Sequence, residues 1–278
     1  MLKVDLIIAN SFKNSLQYFF GIALYVLSNG GSNLTLSKIS IGLFSFLLFY
    51  VAIYLYNDLI DYDLDRKNVF RSNIKALARG SINKKTAKML IYTCMIVGLS
   101  LSLLINKAHI LALITIGIFN FFYSSPYTKL KDNALTFPMT LVAIQFLKFS
   151  IGWLALTSSL SGLPLLYVTS LSFFYVFLSY FSKNPTLTIK EILNITFAKI
   201  ILTFGVIAYI LLPVFYSIKL VFLFLIITLT IFLAPIVSFL PFIHHQNSFE
   251  KSVYIVIVSN ALMILFIMLL TWNNSIFA

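Results

Sequence analysis

Residues 220–240 read LVFLFLIITLTIFLAPIVSFL, twenty-one positions without one charge. A helix needs about 20 apolar residues to cross a bilayer core. A transmembrane strand would instead alternate over about 10 residues, and this run does not alternate. The same reading carried outward predicts nine helical spans, roughly 7–28, 38–56, 87–106, 109–123, 137–157, 164–182, 196–216, 219–241 and 251–272. Composition agrees: 60% of the 278 residues are hydrophobic and 10% are charged, against about 25% charged in a typical soluble domain. Mean hydropathy is +0.98. A water-soluble globule of this composition would lack the polar residues to cover its surface. The expected fold is therefore an all-α integral membrane bundle forming a single domain over residues 1–278. The lone cysteine, Cys94, excludes a disulfide framework and a cysteine-based metal cluster.

The net charge of +12 would suggest nucleic acid in a soluble protein, but here its distribution suggests membrane topology. Sixteen of the 20 Lys and Arg residues fall on one side of the predicted spans and three on the other, with Lys148 inside the fifth span. The positive-inside rule then places the N-terminus and the basic loops in the cytoplasm. The expected location is multi-pass in the inner (cell) membrane of a prokaryote, with no nucleic-acid partner and no obligate protein partner. Asp5, Asn10, Lys13 and Asn14 near the start of the first span do not fit a cleavable signal peptide.

The loop after the second span is the chemical clue. Asn57-Asp58-Leu59-Ile60-Asp61-Tyr62-Asp63-Leu64-Asp65 holds four of the chain's eight carboxylates, and Arg66, Lys67, Arg71, Lys75, Arg79, Lys84, Lys85 and Lys88 follow. If this segment continues the helix at about 100° per residue, Asn57, Asp61, Asp65 and Asp58 fall within about 100° of arc, and Asp63 points elsewhere. Three carboxylates on one stripe cannot all stay ionised at a partly buried site without a cation. Hard oxygen donors of this kind suit Mg²⁺, which binds through a few carboxylates plus substrate phosphates. Asn57, Asp58, Asp61 and Asp65 are the candidate metal ligands, and the three aspartates are the candidate catalytic residues.

The pattern Asn57-Asp58-x-x-Asp61-x-x-x-Asp65 resembles the NDxxDxxxD motif of the UbiA superfamily of intramembrane prenyltransferases. Arg71 and Ala76–Ile82 resemble the stretch that follows it in the family, with Ser72 in place of the usual proline. Tyr123–Lys131, with Lys129 and Lys131, resembles the tyrosine, proline and lysine signature after the fourth span. The resemblance implies a bundle around a central cavity open to lipid. In it, Mg²⁺ binds the diphosphate of an isoprenoid donor, an allylic carbocation forms, and an acceptor captures it. Arg71, Tyr123, Lys129 and Lys131 are then expected to bind substrate.

The family's second acidic motif, expected after the sixth span, is absent. Tyr180–Glu191 contains Lys183, Asn184 and Lys190, and Glu191 is its only acid. One branch of the superfamily, the polyprenyl-phosphate phosphoribosyltransferases, departs similarly. There the diphosphate is that of phosphoribosyl pyrophosphate, and a lipid phosphate is the nucleophile. Phe12-Lys13-Asn14, Phe146-x-Lys148-x-x-x-Gly152 and Phe249-Glu250 resemble motifs of that branch. The substrate is thus expected to be an isoprenoid diphosphate or a polyprenyl phosphate in the membrane lipid, with Lys13, Asn14, Lys148 and Lys183 as further binding residues. An intramembrane lysine such as Lys148 is a functional candidate in its own right. The alternatives are a terpene cyclase or inactive relative, and a small-solute transporter. The clustering of charge at one membrane face argues against the transporter.

Overall fold

A computed structural model describes residues 6–29, 34–128, 130, 136–183, 203–208, 211–212, 258, 261–265 and 267–268. Among these the regular structure is helical: α1 Leu6–Asn29, α2 Leu36–Ile60, α3 Tyr62–Lys67, α4 Val69–Ile74, α5 Lys84–Leu103, α6 Lys107–Ser124, α7 Thr136–Leu156 and α8 Leu165–Lys183. The six long helices coincide with the first six predicted spans to within a few residues. Four of them (α2, α5, α6 and α7) are long and apolar enough to cross a membrane. Most of the seventh to ninth spans lies outside the described residues, as do Lys129 and Lys131. Helical turns at 203–208 and 261–265 fall within the seventh and ninth.

Two asparagines start helices in the way their short side chains favour. Asn83 Oδ1 accepts from the Thr86 amide at 2.8 Å to open α5, and Asn106 Oδ1 accepts from the His109 amide at 2.8 Å to open α6. Asn68 does the same for the short α4, accepting from the Arg71 amide at 3.0 Å. The turn after α4 closes at Gly80, whose φ of +81° costs glycine little and other residues more.

Helices in lipid gain little from the hydrophobic effect between themselves, so close packing through small residues carries the association. α1 lies along α7, α2 along α5, and α7 also meets α6 and α8. The α1–α7 contact depends on Gly21 and Gly152. A Cβ on Gly152 would run into the Tyr18 carbonyl, and one on Gly21 would stand 2.7 Å from the Trp153 amide nitrogen. Aromatic rings fill the space beside this seam, with Phe20 against Phe149 at 5.1 Å and Tyr25 against Trp153 at 5.4 Å between centroids. Gly152→Ala should therefore force α1 and α7 apart and cost about 3 kcal/mol, the upper range for overpacking. Thermal inactivation of the detergent-solubilised variant checks this, and a wild-type profile would show that the seam yields.

Candidate functional site

The second span continues one turn further than predicted, so Asn57 and Asp58 stand on α2 itself. The helix then breaks at Asp61, where φ is −89° and ψ 9°, instead of running straight through the acidic segment. The hydrogen-bond register nevertheless persists across the break. Asp61 N donates to Asn57 O and Asp65 N to Asp61 O, each at 2.9 Å. Asp58 and Asp65 consequently end up on the same side, as the helical projection expects.

What holds those two carboxylates together is Lys75. The short α4 turns the chain back, and Lys75 Nζ lies 2.8 Å from Asp58 Oδ1 and 2.6 Å from Asp65 Oδ2. Arg71 Nη1 reaches Asp65 Oδ1 at 3.3 Å, with its own side chain half exposed. Asp65 is fully buried and Asp58 nearly so, at 7% exposure. Asp61 is half-buried, and Asp63 is exposed. Burial pulls the Lys75 ammonium towards its neutral form, but the two carboxylates beside it outweigh that and hold its pKa above the ordinary lysine value.

The donor set fits a hard divalent cation. Asn57 Oδ1 is buried without a hydrogen-bond partner, and Asn57 directly precedes Asp58 on α2. Among the described residues no three His, Cys, Asp or Glu side chains come together as a group that could hold a metal ion. Mg²⁺ is commonly bound through one or two carboxylates plus substrate phosphates, and Asp58 and Asp65 are two such carboxylates on one cationic group. Of the four expected ligands the structure brings Asp58 and Asp65 together, and Asp61 does not complete a three-carboxylate group with them.

A second polar cluster lies inside the bundle. Lys148 is 5% exposed and does not reach out to the interface. Its Nζ donates to Asn14 Oδ1 at 3.0 Å and stands 4.2 Å above the centre of the Tyr50 ring. Asn14 Nδ2 in turn donates to the Tyr54 hydroxyl at 3.0 Å. Gln17 Nε2 donates to Gln145 Oε1 at 2.8 Å, and Gln17 Oε1 and the Tyr175 hydroxyl are buried without partners. Among the described residues no carboxylate forms an ion pair with Lys148. A buried lysine among neutral dipoles and an aromatic ring, inside an apolar helix, is a functional candidate.

The structure thus brings Asn14 and Lys148 together, and likewise Asp58 and Asp65. Tyr123 sits at the end of α6 with its ring 5.9 Å from that of Phe137. The side chain of Lys183, at the end of α8, lies outside the described residues. Lys13 is half-buried and close enough to Lys148 to repel it. Lys75, Tyr54, Tyr50, Gln17 and Gln145 escape the sequence reading. The glutamines leave a signal there, as polar residues within apolar spans, whereas Lys75 reads only as one more loop charge.

A bundle of long apolar helices with paired carboxylates closing on Lys75 at an end of α2 and a buried lysine in its interior has the architecture of an integral membrane protein. The chain belongs to the UbiA prenyltransferase family, which it matches over residues 18–274. Its fold is similar to that of a UbiA homologue from Archaeoglobus fulgidus bound to GPP and Mg²⁺. The two are 18% identical, with a TM-score of 0.68 over 95% of this chain and 96% of that one. The same homologue bound to DMAPP and Mg²⁺ gives 17% identity, the same coverage and a TM-score of 0.68. An apo UbiA homologue from Aeropyrum pernix K1 gives 14% identity and a TM-score of 0.57 over 94% and 98%. No curated protein matches the chain in sequence.

Proposed function

We propose that the chain is a Mg²⁺-dependent intramembrane transferase that takes an isoprenoid diphosphate as donor. The observation that carries this is the closure of buried Asp58 and Asp65 on the Lys75 ammonium, with the buried and unpartnered Asn57 oxygen one residue before Asp58 in the chain. Family membership and the GPP- and DMAPP-bound homologues support it. Bound Mg²⁺ would supply charge to stabilise the departing diphosphate. Asn57, Asp58, Asp61 and Asp65 hold the metal. Arg71, Lys129, Lys131 and Lys183 meet phosphate oxygens, and Tyr123 positions the donor. The carbon–oxygen bond to the diphosphate breaks, the leaving group keeps the electron pair, and an acceptor nucleophile bonds to the allylic carbon as its proton is lost. Apolar walls keep water from the cation. The site faces the cytoplasm in this reading, and residues 1–278 act as one domain.

One observation favours a second reading, phosphoribosyl transfer from phosphoribosyl pyrophosphate to a polyprenyl phosphate. Lys148 with Asn14 and, close by, Lys13 form a second polar cluster one turn of α2 from Asp58, and such a cluster could seat a lipid phosphate acting as nucleophile. The purified protein with Mg²⁺, given either a polyprenyl diphosphate and candidate acceptors or phosphoribosyl pyrophosphate and polyprenyl phosphate, decides by which diphosphate is consumed. Consumption of neither overturns both.

Lys148→Met should raise KM for the phosphorylated lipid about tenfold or more, as expected for losing a hydrogen bond from a charged donor. The variant should fold at least as well as wild type, because a buried charge has been removed. KM and thermal stability measured together check this. An unchanged KM would make Lys148 structural.

A further inference from the structure

A cavity of about 600 Å³ lies on the side of α2 that faces α5 and α6. Phe49, Ile53 and Tyr56 of α2, Met95 of α5, and Ile118 and Phe121 of α6 are among its walls. It is distinct from the acidic site. Asp58 stands roughly 140–160° around α2 from Ile53 and Tyr56 at 100° per residue.

The groove exists because the helices touch at one level and part above it. Gly98 lets α5 close onto α2, where an added Cβ would stand 3.0 Å from Ser45 O and 3.1 Å from Phe49 N. Ser45 Oγ fixes the contact by donating to Gly98 O at 2.7 Å. The Phe49 ring fills the place where a side chain on Gly117 would go, 2.8 Å from its ideal Cβ. These contacts form a floor beside Leu99. From Leu99 the groove climbs α5 to Lys88, the one lysine, arginine or acid that lines it among the described residues. Eleven residues of helix make this about 16 Å, close to half of a hydrocarbon core about 30 Å thick. The groove therefore has the depth of one leaflet. At its open end the first turns of α5 present Lys84, Lys85 and Lys88, all exposed, where lipid headgroups would meet the basic end of the bundle.

We infer that this groove binds one acyl chain of an anionic glycerophospholipid from the leaflet on the basic side, with the headgroup phosphate at Lys88 and its neighbours. An apolar, leaflet-deep slot crowned by lysines, with no carboxylate in its lining among the described residues, complements such a molecule in both length and charge. A lipid seated there braces the side of α2 opposite the one that presents Asp58. The inference does not rest on the reaction assigned above, since a catalytically silent chain would bind the same lipid.

The test uses full-length, detergent-solubilised protein with added phosphatidylglycerol or phosphatidylcholine, read by native mass spectrometry and by melting temperature. Wild type should retain one phosphatidylglycerol per chain at least about tenfold more tightly than phosphatidylcholine and melt at a higher temperature with it. Lys88→Gln, at an exposed position that should not disturb folding, should lower that retention about fivefold. Met95→Trp should fill the slot and abolish retention of that lipid while helical content by circular dichroism is unchanged. Equal retention of the two lipids, or retention unmoved by Lys88→Gln, would overturn the inference. So would displacement of the lipid by an isoprenoid diphosphate, which would assign the groove to the substrate tail.

Discussion

Replacing Asp58 or Asp61 with alanine should lower turnover at least about a hundredfold, the scale typical for removing a key electrostatic stabiliser, whereas Asp63→Asn should stay within a few-fold of wild type. The contrast follows from geometry. Asp58 is nearly buried and pairs with the cation shared with Asp65, while Asp63 is exposed. Asp61 sits at the break between α2 and α3, one helical turn from both Asn57 and Asp65 along the hydrogen-bond ladder. Steady-state rates at saturating Mg²⁺ and substrate check the ordering. If Asp63 is as sensitive as Asp61, the proposed ligand set is wrong. Melting curves of the same variants separate lost chemistry from lost folding.

The second large effect is expected at Lys75. Lys75→Met removes the cation that the two buried carboxylates share and leaves Asp65 with the half-exposed Arg71. Breaking a buried pair in this way costs about 3–5 kcal/mol. Water reaches the lysine side chain only slightly, at 13% exposure, so about 3 kcal/mol is expected here. The loss should be largest in a chelating buffer and partly reversed by Mg²⁺, because a divalent cation can take over the neutralising role between Asp58 and Asp65. Melting temperature with and without Mg²⁺ reads this without any substrate. A variant equally stable in both conditions would show that the carboxylates neither need Lys75 nor take up the metal.

Much of the fold is legible in the sequence because spans announce themselves by length. Each of the first six apolar runs became a helix within a few residues of its predicted ends. The pairing of Asp58 with Asp65 was legible too, because a spacing of seven is two helical turns and the hydrogen-bond register survives the break. The break at Asp61 was not legible, since nothing local among Asp61, Tyr62 and Asp63 marks it. Lys75 was invisible for a different reason. Its position depends on α3 and α4 doubling the chain back, and no periodicity encodes that return. Lys148 declared itself as a charge inside an apolar run, but its contact with Asn14 joins helices whose relative placement a single sequence does not contain. The roles of these residues in binding and turnover are matters for the variants described above.

The two polar clusters differ in how much chain must be organised before they can exist. Asp65 and Lys75 are separated by ten residues, so their contact closes a short loop. Asn14 and Lys148 are separated by 134 residues. By loop-closure entropy alone the longer link costs roughly 2 kcal/mol more, and it also requires α7 to have packed against α1. During synthesis the acidic cluster can therefore form as soon as α2 to α4 have emerged, with most of the chain still unmade. The interior ammonium finds its partner only after the α1–α7 seam has closed, so Lys148 registers completed assembly of the bundle in a way the acids cannot.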